Sequence, residues 1–366
     1  ALPRRPLRLL AGLAVAATVA ALIAVILYSM AAAAGEQIGP RSTVDIPGLL
    51  IMTTTQAGLT TILSLAVGTA LAWALNRLRF PGRDLVVGLF ASAIVTPGII
   101  VAVGLLAVWG RSGWISEASQ ALFGVPLQIP IFGLGGILFA HVILDGAFAA
   151  RVLLTRMDAI PLARLRTGQS LGLTAWQRFA IIDWPAIRGT LPGLGAIIFL
   201  LAFTSFPVVL LLGGGPANQT LEVAIYTAAR LDFDLGAAVA LALVQIAVCS
   251  IIVLAASAFA PVPPSLGRSG GQPWADRPGA RGLQWSVLVL SAIGFALPLL
   301  AVLAGAFGGG LGDLLTRPAF WVSATTSLVI ASASAALTLT LALGVSLGRA
   351  ATGHRLLRIG IGAPSY

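Results

Sequence analysis

The stretch SLGLTAWQRFAIIDWP, Ser170 to Pro185, interrupts a chain that is otherwise a succession of apolar runs. Read as helix, Leu171, Ala175, Phe179 and Ile182 recur at spacings of four, four and three residues and form one apolar stripe. Arg166, Gln169, Gln177 and Arg178 supply a polar surface. Gly172 allows a tight turn or a close backbone approach. Thr174 is placed to cap the helix that follows, and Pro185 to end it. Two readings fit this pattern. An amphipathic helix on the lipid headgroups would use the arginines, Trp176 and Trp184. A short helix docked in a cleft of a partner would use the stripe to transmit force. Spacing alone does not choose between them.

The surroundings set the class. The chain is 58% hydrophobic and 9% charged, with mean hydropathy +0.99, far from the balance of a soluble domain. A helical span needs about 20 mostly apolar residues to cross roughly 30 Å of hydrocarbon. Eight runs qualify, near 8–33, 48–75, 85–109, 130–153, 190–212, 236–260, 285–306 and 321–348. The expectation is an all-α, polytopic membrane protein.

The net charge of +10 comes entirely from arginine, because the sequence holds no lysine. Of the 22 arginines, 18 fall on one side of the spans; Arg41, Arg111, Arg230 and Arg317 fall on the other. Cytoplasmic loops carry the positive excess, so the N-terminus and every even-numbered connection are expected in the cytoplasm. The basicity therefore reports topology, and no nucleic-acid partner is implied. With no lysine there is no G-x-x-x-x-G-K phosphate loop, and ATP hydrolysis by that device is excluded. Gly213-Gly214-Gly215-Pro216 reads as a turn. His141 and His354, the two histidines, lie on separate segments, so no metal site is expected. The single Cys249 reads as packing. Residues 1–34 imitate a signal peptide, but the run is long for one and reads as a retained span. Both ends, Ala1 and Tyr366, read as trimmed.

The connection 261–284, rich in Pro, Gly and Ser, reads as a cytoplasmic linker between two parts, 1–260 and 285–366. An internal repeat brackets it. Thr53 to Arg77 aligns without gaps on Thr325 to Arg349, an offset of 272, with identities that include Leu65/Leu337, Leu71/Leu343 and Arg77/Arg349. A tandem duplication of six-span halves would produce this. Asp145 lies inside the fourth run with His141 four residues earlier on the same helix face. An ionisable residue in a span is either held by a structural hydrogen bond or lines a path. Ser205, in the fifth run, is a further path candidate. Thr220 to Asp234 predicts a short helix on the outer side with Leu221, Ala224, Ile225 and Ala228 inward. Its Asp232 and Asp234 are candidates for docking a soluble partner.

The opening stretch resembles the loop signature of ABC importer permeases, E-A-A-x-x-x-G followed by aromatic, aliphatic and proline positions. Gly172 takes the glycine, with Phe179, Ile182, Pro185 and Ile187 at 7, 10, 13 and 15 residues beyond it. Arg166, Thr167 and Gly168 occupy the E-A-A positions, so the acidic residue is missing. FTSFPVVLLLGGGPANQTLEVAIYTAARLDFDLG, from Phe203, is similar to the thiamine and thiamine-pyrophosphate importer permeases, whose two halves are fused in one chain. Iron(III) importer permeases share that architecture and are the nearest alternative. The resemblance implies a type I ABC importer transmembrane fold with eight complete spans of an expected twelve. It also implies a bacterial inner-membrane location, no cofactor and no enzymatic site. The implied partners are two ATP-binding cassette subunits and an external substrate-binding protein. The coupling element would be 164–189, with Gly172, Leu173, Thr174, Phe179, Ile182 and Pro185 as its contact positions. An ion-coupled transporter using His141 and Asp145 is the reading from a different class.

Overall fold

The computed structural model describes residues 4–36, 44–257, 276–308 and 311–351, and among them the only regular structure is helical. In chain order the helices are α1 Arg4–Glu36, α2 Ile46–Arg77, α3 Arg83–Ala91, α4 Gly98–Trp109, α5 Trp114–Phe123 and α6 Leu134–Asp158. Then come α7 Leu162–Ser170, α8 Ala175–Arg178, α9 Trp184–Ile187, α10 Leu191–Phe203 and α11 Pro207–Leu212. The last are α12 Leu221–Arg230, α13 Leu235–Ser257, α14 Pro278–Gly308, α15 Leu311–Thr316 and α16 Pro318–Ala351. Among the described residues, seven helices are long and apolar enough to cross a membrane, or eight with one bent pair. Leu22, Ile51, Leu254, Leu290 and Leu328 are more than half exposed. Such faces suit lipid, not water.

Two predicted spans are broken. The run 85–109 divides into α3, a short 3-10 turn Ser92–Ile94, and α4. Pro97 is the cause, since it lacks an N–H and pushes Thr96 away from the helical region. The hydroxyls of Ser92 and Thr96 bond back to Leu89 and Ser92 carbonyls at 2.7 and 2.8 Å. The run 190–212 divides in the same way ahead of Pro207, giving α10 and α11. The pieces beyond the two breaks pack together: a Cβ on Gly98 would lie 3.0 Å from Val208 Cγ2. Gly213-Gly214-Gly215 forms the expected turn, with Gly214 and Gly215 at positive φ. The linker expected over 261–284 ends earlier, because α14 starts at Pro278, a residue suited to a first helical turn. Its residues 261–275 lie outside the described residues.

The chain forms two compact units, residues 42–305 and residues 1–41 with 306–366. In the larger unit α6 is the central post, packed along α2 by small residues. A Cβ on Gly68 would sit 2.5 Å from Ala149 Cβ and 2.9 Å from the Gly146 carbonyl oxygen. Small residues let two membrane helices approach until their backbones touch. At the far end of the pair Asn76 Nδ2 donates to Asp158 Oδ1 at 2.8 Å. Helix α14 lies on this unit, with Phe80 against Trp285 and Phe90 against Phe295 at ring separations of 5.1 and 5.9 Å. In the smaller unit α1 packs on α16, not on a sequence neighbour. The 272-residue offset carries Ile46 onto Pro318, so it matches the start of α2 with the start of α16.

Candidate functional site

The loop between α6 and α10 is an ordered helical hairpin. Pro161 opens α7, and α7 ends in a paired-carbonyl turn at Gly172. Leu173 N–H donates to the Gly168 carbonyl at 3.2 Å and Gly172 N–H to that of Gln169 at 3.0 Å. This closure needs a left-handed residue, and Gly172 has φ +65. Thr174 then starts α8 with a reciprocal cap: Gln177 N–H donates to its hydroxyl at 3.3 Å, and Gln177 Oε1 accepts from Thr174 N–H at 2.9 Å. Between α8 and α9 the backbone widens into a π turn, Phe179–Asp183, closed by Trp184 N–H on the Phe179 carbonyl. The extra residue absorbs the N–H that Pro185 lacks, so Pro185 sits in the first turn of α9 and the helix runs on to Ile187. The segment Ala175–Ile187 then meets α10 at 67°, so the hairpin leaves the axis of the span.

Which side chains point outward differs from the predicted stripe. Leu171 is 71% exposed, Trp176 74% and Ile181 57%. Leu173, Phe179 and Ile182 face inward onto the core formed by α2, α6 and α14. Leu171 precedes the Gly172 turn and so stands outside the helix that carries Phe179 and Ile182, which splits the stripe. Trp176, Phe179 and Trp184 form a row, with ring separations of 5.8 and 6.3 Å. An apolar cavity of about 600 Å³ separates the row from Trp73 on α2 and Leu283 on α14.

Beneath the hairpin lies a charge cluster that the sequence reading did not single out. Asp183 is fully buried and accepts from Arg77 Nη2. Arg178, assigned above to the polar surface, is buried, with Nε 3.9 Å from Asp183 Oδ1. Arg77 Nη1 is 3.9 Å from Asp276 Oδ1, and Gln284 Nε2 donates to Asp276 Oδ2 at 2.6 Å. Burial lowers the Arg178 guanidinium to about 10, so it stays a cation at neutral pH. Burial pushes the Asp183 carboxyl up while Arg77 and Arg178 pull it down. Two cations and two anions balance. Removing one would leave an unpaired buried charge, at a cost of about 3–5 kcal/mol. An acid flanked by Ile181, Ile182 and Trp184 was the available signal.

No protein-family model matches the chain. Among curated proteins, the thiamine transport system permease protein ThiP of Salmonella typhimurium is 36% identical over 286 residues, covering 76% of this chain and 52% of its own. ThiP of Escherichia coli is 37% identical over 281 residues, with the same coverages. A solved bacterial alginate ABC transporter contains a chain with TM-score 0.54 and 19% identity, over 66% of this chain and 92% of that one. The chain is similar to these ABC transporter permeases over most of its length, and shares the fold of the alginate transporter chain. It spans about half the length of the curated relatives it matches. An iron(III) permease is not favoured by these relatives.

Elsewhere in the permease, the structure unites some candidates and separates others. His141 Nδ1 and Asp145 Oδ2 are 3.5 Å apart on α6, and both residues are buried. Ser205 sits half-buried in the break between α10 and α11, and the described hydrogen bonds and ion pairs do not join it to that pair. On α2, Gln56, Thr60 and Ser64 are buried at four-residue intervals, with Gln56 Nε2 donating to Thr60 at 3.2 Å. Helix α12 presents Leu221, Ala224 and Ala228 inward as the spacing predicts. Thr53 on α2 accepts the Leu221 N–H at 3.0 Å. Asp232 is exposed, whereas Asp234 caps α13 by accepting from Ala237 N–H at 2.9 Å. Asp45, Asp232 and Asp234 border a second cavity of about 440 Å³.

Proposed function

We propose that the chain is the membrane part of an ATP-driven importer carrying thiamine or its phosphates across a bacterial inner membrane. Its N-terminus and the α7–α9 hairpin lie in the cytoplasm. Two ATP-binding cassette subunits engage the hairpin, and a substrate-binding protein docks on the outer side. The substrate follows the names of the relatives, and a binding-protein partner is in keeping with the alginate transporter, which was solved with a bound periplasmic protein. One observation carries the coupling role. The hairpin presents Leu171 and Trp176 outward on a turn whose inner residues are fastened to the helix core. A knob of that kind passes a push to the spans without bending. The broken spans fit a path as well, because irregular backbone at membrane depth is tolerated where it lines a protein cavity. The gapless 272-residue repeat, which brings the start of α2 onto the start of α16, supports two repeated halves, 1–260 and 285–366.

The test is uptake of labelled thiamine by liposomes holding the permease, its ATP-binding subunits and the binding protein. Uptake should require ATP. Uptake without nucleotide but with a proton gradient would point instead to His141 and Asp145 as an ion-coupled relay. Topology is checked in a Cys249→Ala background. Ala217→Cys should react with an impermeant maleimide in intact spheroplasts, and Gln177→Cys only after permeabilisation. Labelling of both from one side refutes the assignment.

The outer surface gives a third expectation. Charge at an interface rim alters association rate and its salt dependence. Asp232→Arg should weaken stimulation of ATP hydrolysis by the binding protein, most at low salt, and leave basal hydrolysis unchanged. Asp234 is unsuitable for this experiment, because its substitution also removes the α13 cap. A parental response across a salt titration would remove Asp232 from the docking surface.

A further inference from the structure

Arg77, Arg178, Asp183 and Asp276 come from three separate places: the end of α2, the hairpin, and the segment entering α14. Apolar side chains could fill the same volume without desolvating any charge. A buried charge set is therefore poor glue. What it does well is discriminate position, because each charge finds its partner in only one seating of the segments. Asp183 is the hub, touching Arg77 with one carboxylate oxygen and facing Arg178 with the other. Arg77 in turn reaches Asp276, which Gln284 of α14 holds by a 2.6 Å hydrogen bond.

We propose that Asp183 is a positioning residue, an ionic clamp that makes the hairpin, the Arg77 end of α2 and the entry to α14 move as one body. The inference rests on the importer reading above and adds to it a route for the push. A partner pressing on Leu171 and Trp176 displaces Asp183, and through Arg77 and Asp276 it displaces α2 and α14 together. Without the carboxylate, Asp276 alone faces two arginines, one buried positive charge is left uncompensated and the hairpin loosens. Hydrolysis by the partner then continues while transport falls away.

Spin labels on Gln177→Cys and Arg79→Cys, both exposed positions, report the distance from hairpin to α2 in the Cys249→Ala permease assembled with its ATP-binding subunits. The expected result is one narrow distance distribution that is the same with and without bound nucleotide. Asp183→Asn should broaden it and reduce substrate carried per ATP about ten-fold, in the usual range for coupling between sites. Asp183→Glu should restore both readouts. A nucleotide-dependent change of distance in the parent overturns the clamp, as does Asp183→Asn with parental distance and parental coupling. If Asp183→Asn fails to assemble, the parental distance still decides. A parent whose hydrolysis ignores the binding protein counts against the importer reading. A stimulated parent whose distance moves counts against the clamp alone.

Discussion

Gly68→Leu should abolish accumulation of the folded permease in the membrane. The position where its Cβ would stand lies 2.5 Å from Ala149 Cβ, 2.9 Å from the Gly146 carbonyl oxygen and 3.0 Å from Ala150 N. Two of these are backbone atoms and the third is a methyl with no rotamer, so nothing local can yield. Overpacking where side chains can shift costs about 1–3 kcal/mol. Here α2 must move off α6 along its length, and the loss should exceed that range. Against a typical total of about 5–15 kcal/mol, that is enough to lose the fold. Gly58→Leu on the same helix is the control, because a Cβ at Gly58 meets nothing within 4 Å. Yield in the membrane fraction and the thermal midpoint of purified protein are the readouts. Equal yields for the two variants would refute the account of the α2–α6 crossing.

Gly172→Arg should leave the permease in the membrane and remove most stimulation of its partner's ATP hydrolysis. Two effects combine and can be separated. The positive φ of +65 strains any residue with a Cβ, by about 1 kcal/mol or a little more. A Cβ there meets nothing within 4 Å, so an arginine side chain projects straight into the space a docking partner would enter. Backbone strain predicts that Gly172→Ala is as harmful as Gly172→Arg and that Gly172→Asn is mild, since asparagine tolerates this region. Obstruction predicts that Gly172→Ala keeps most activity while Gly172→Arg loses about ten-fold or more, a change worth about 1.4 kcal/mol of docking energy. Obstruction is the expected result. Full stimulation of Gly172→Arg by the loaded binding protein would end the coupling assignment of the hairpin.

Much of this architecture was readable from residue order alone. Runs of about 20 apolar residues mark the spans because the bilayer leaves few other ways to satisfy a backbone. Gly172 and Thr174 announce their turn and cap, since only certain residues fill those conformations. What escaped is what depends on phase and distance. The turn at Gly172 parts Leu171 from Phe179 and Ile182, and the pairing with Asp183 draws Arg178 inward; periodicity counted at 3.6 residues anticipates neither. Asp183 meets Arg77 across a separation of 106 residues, which no local pattern encodes. The breaks ahead of Gly98 and Pro207 carry a signal in Pro97 and Pro207 that counting apolar runs passed over. Their meeting at Gly98 and Val208 carries none.

The pairing of α1 with α16 imposes an order on synthesis. Residue 318 leaves the ribosome after the end of α1 by the time needed to make the intervening chain, roughly 15–60 s at about 5–20 residues per second. Throughout that interval the side of α1 destined for α16 has only lipid to touch. In water such a face would aggregate; among acyl chains it can wait, since lipid tails are as apolar as the leucines they meet. A helix made early is thus completed by one made much later. A ribosome that stalls between them leaves an unmatched helix in the bilayer, marking the nascent chain as unfinished.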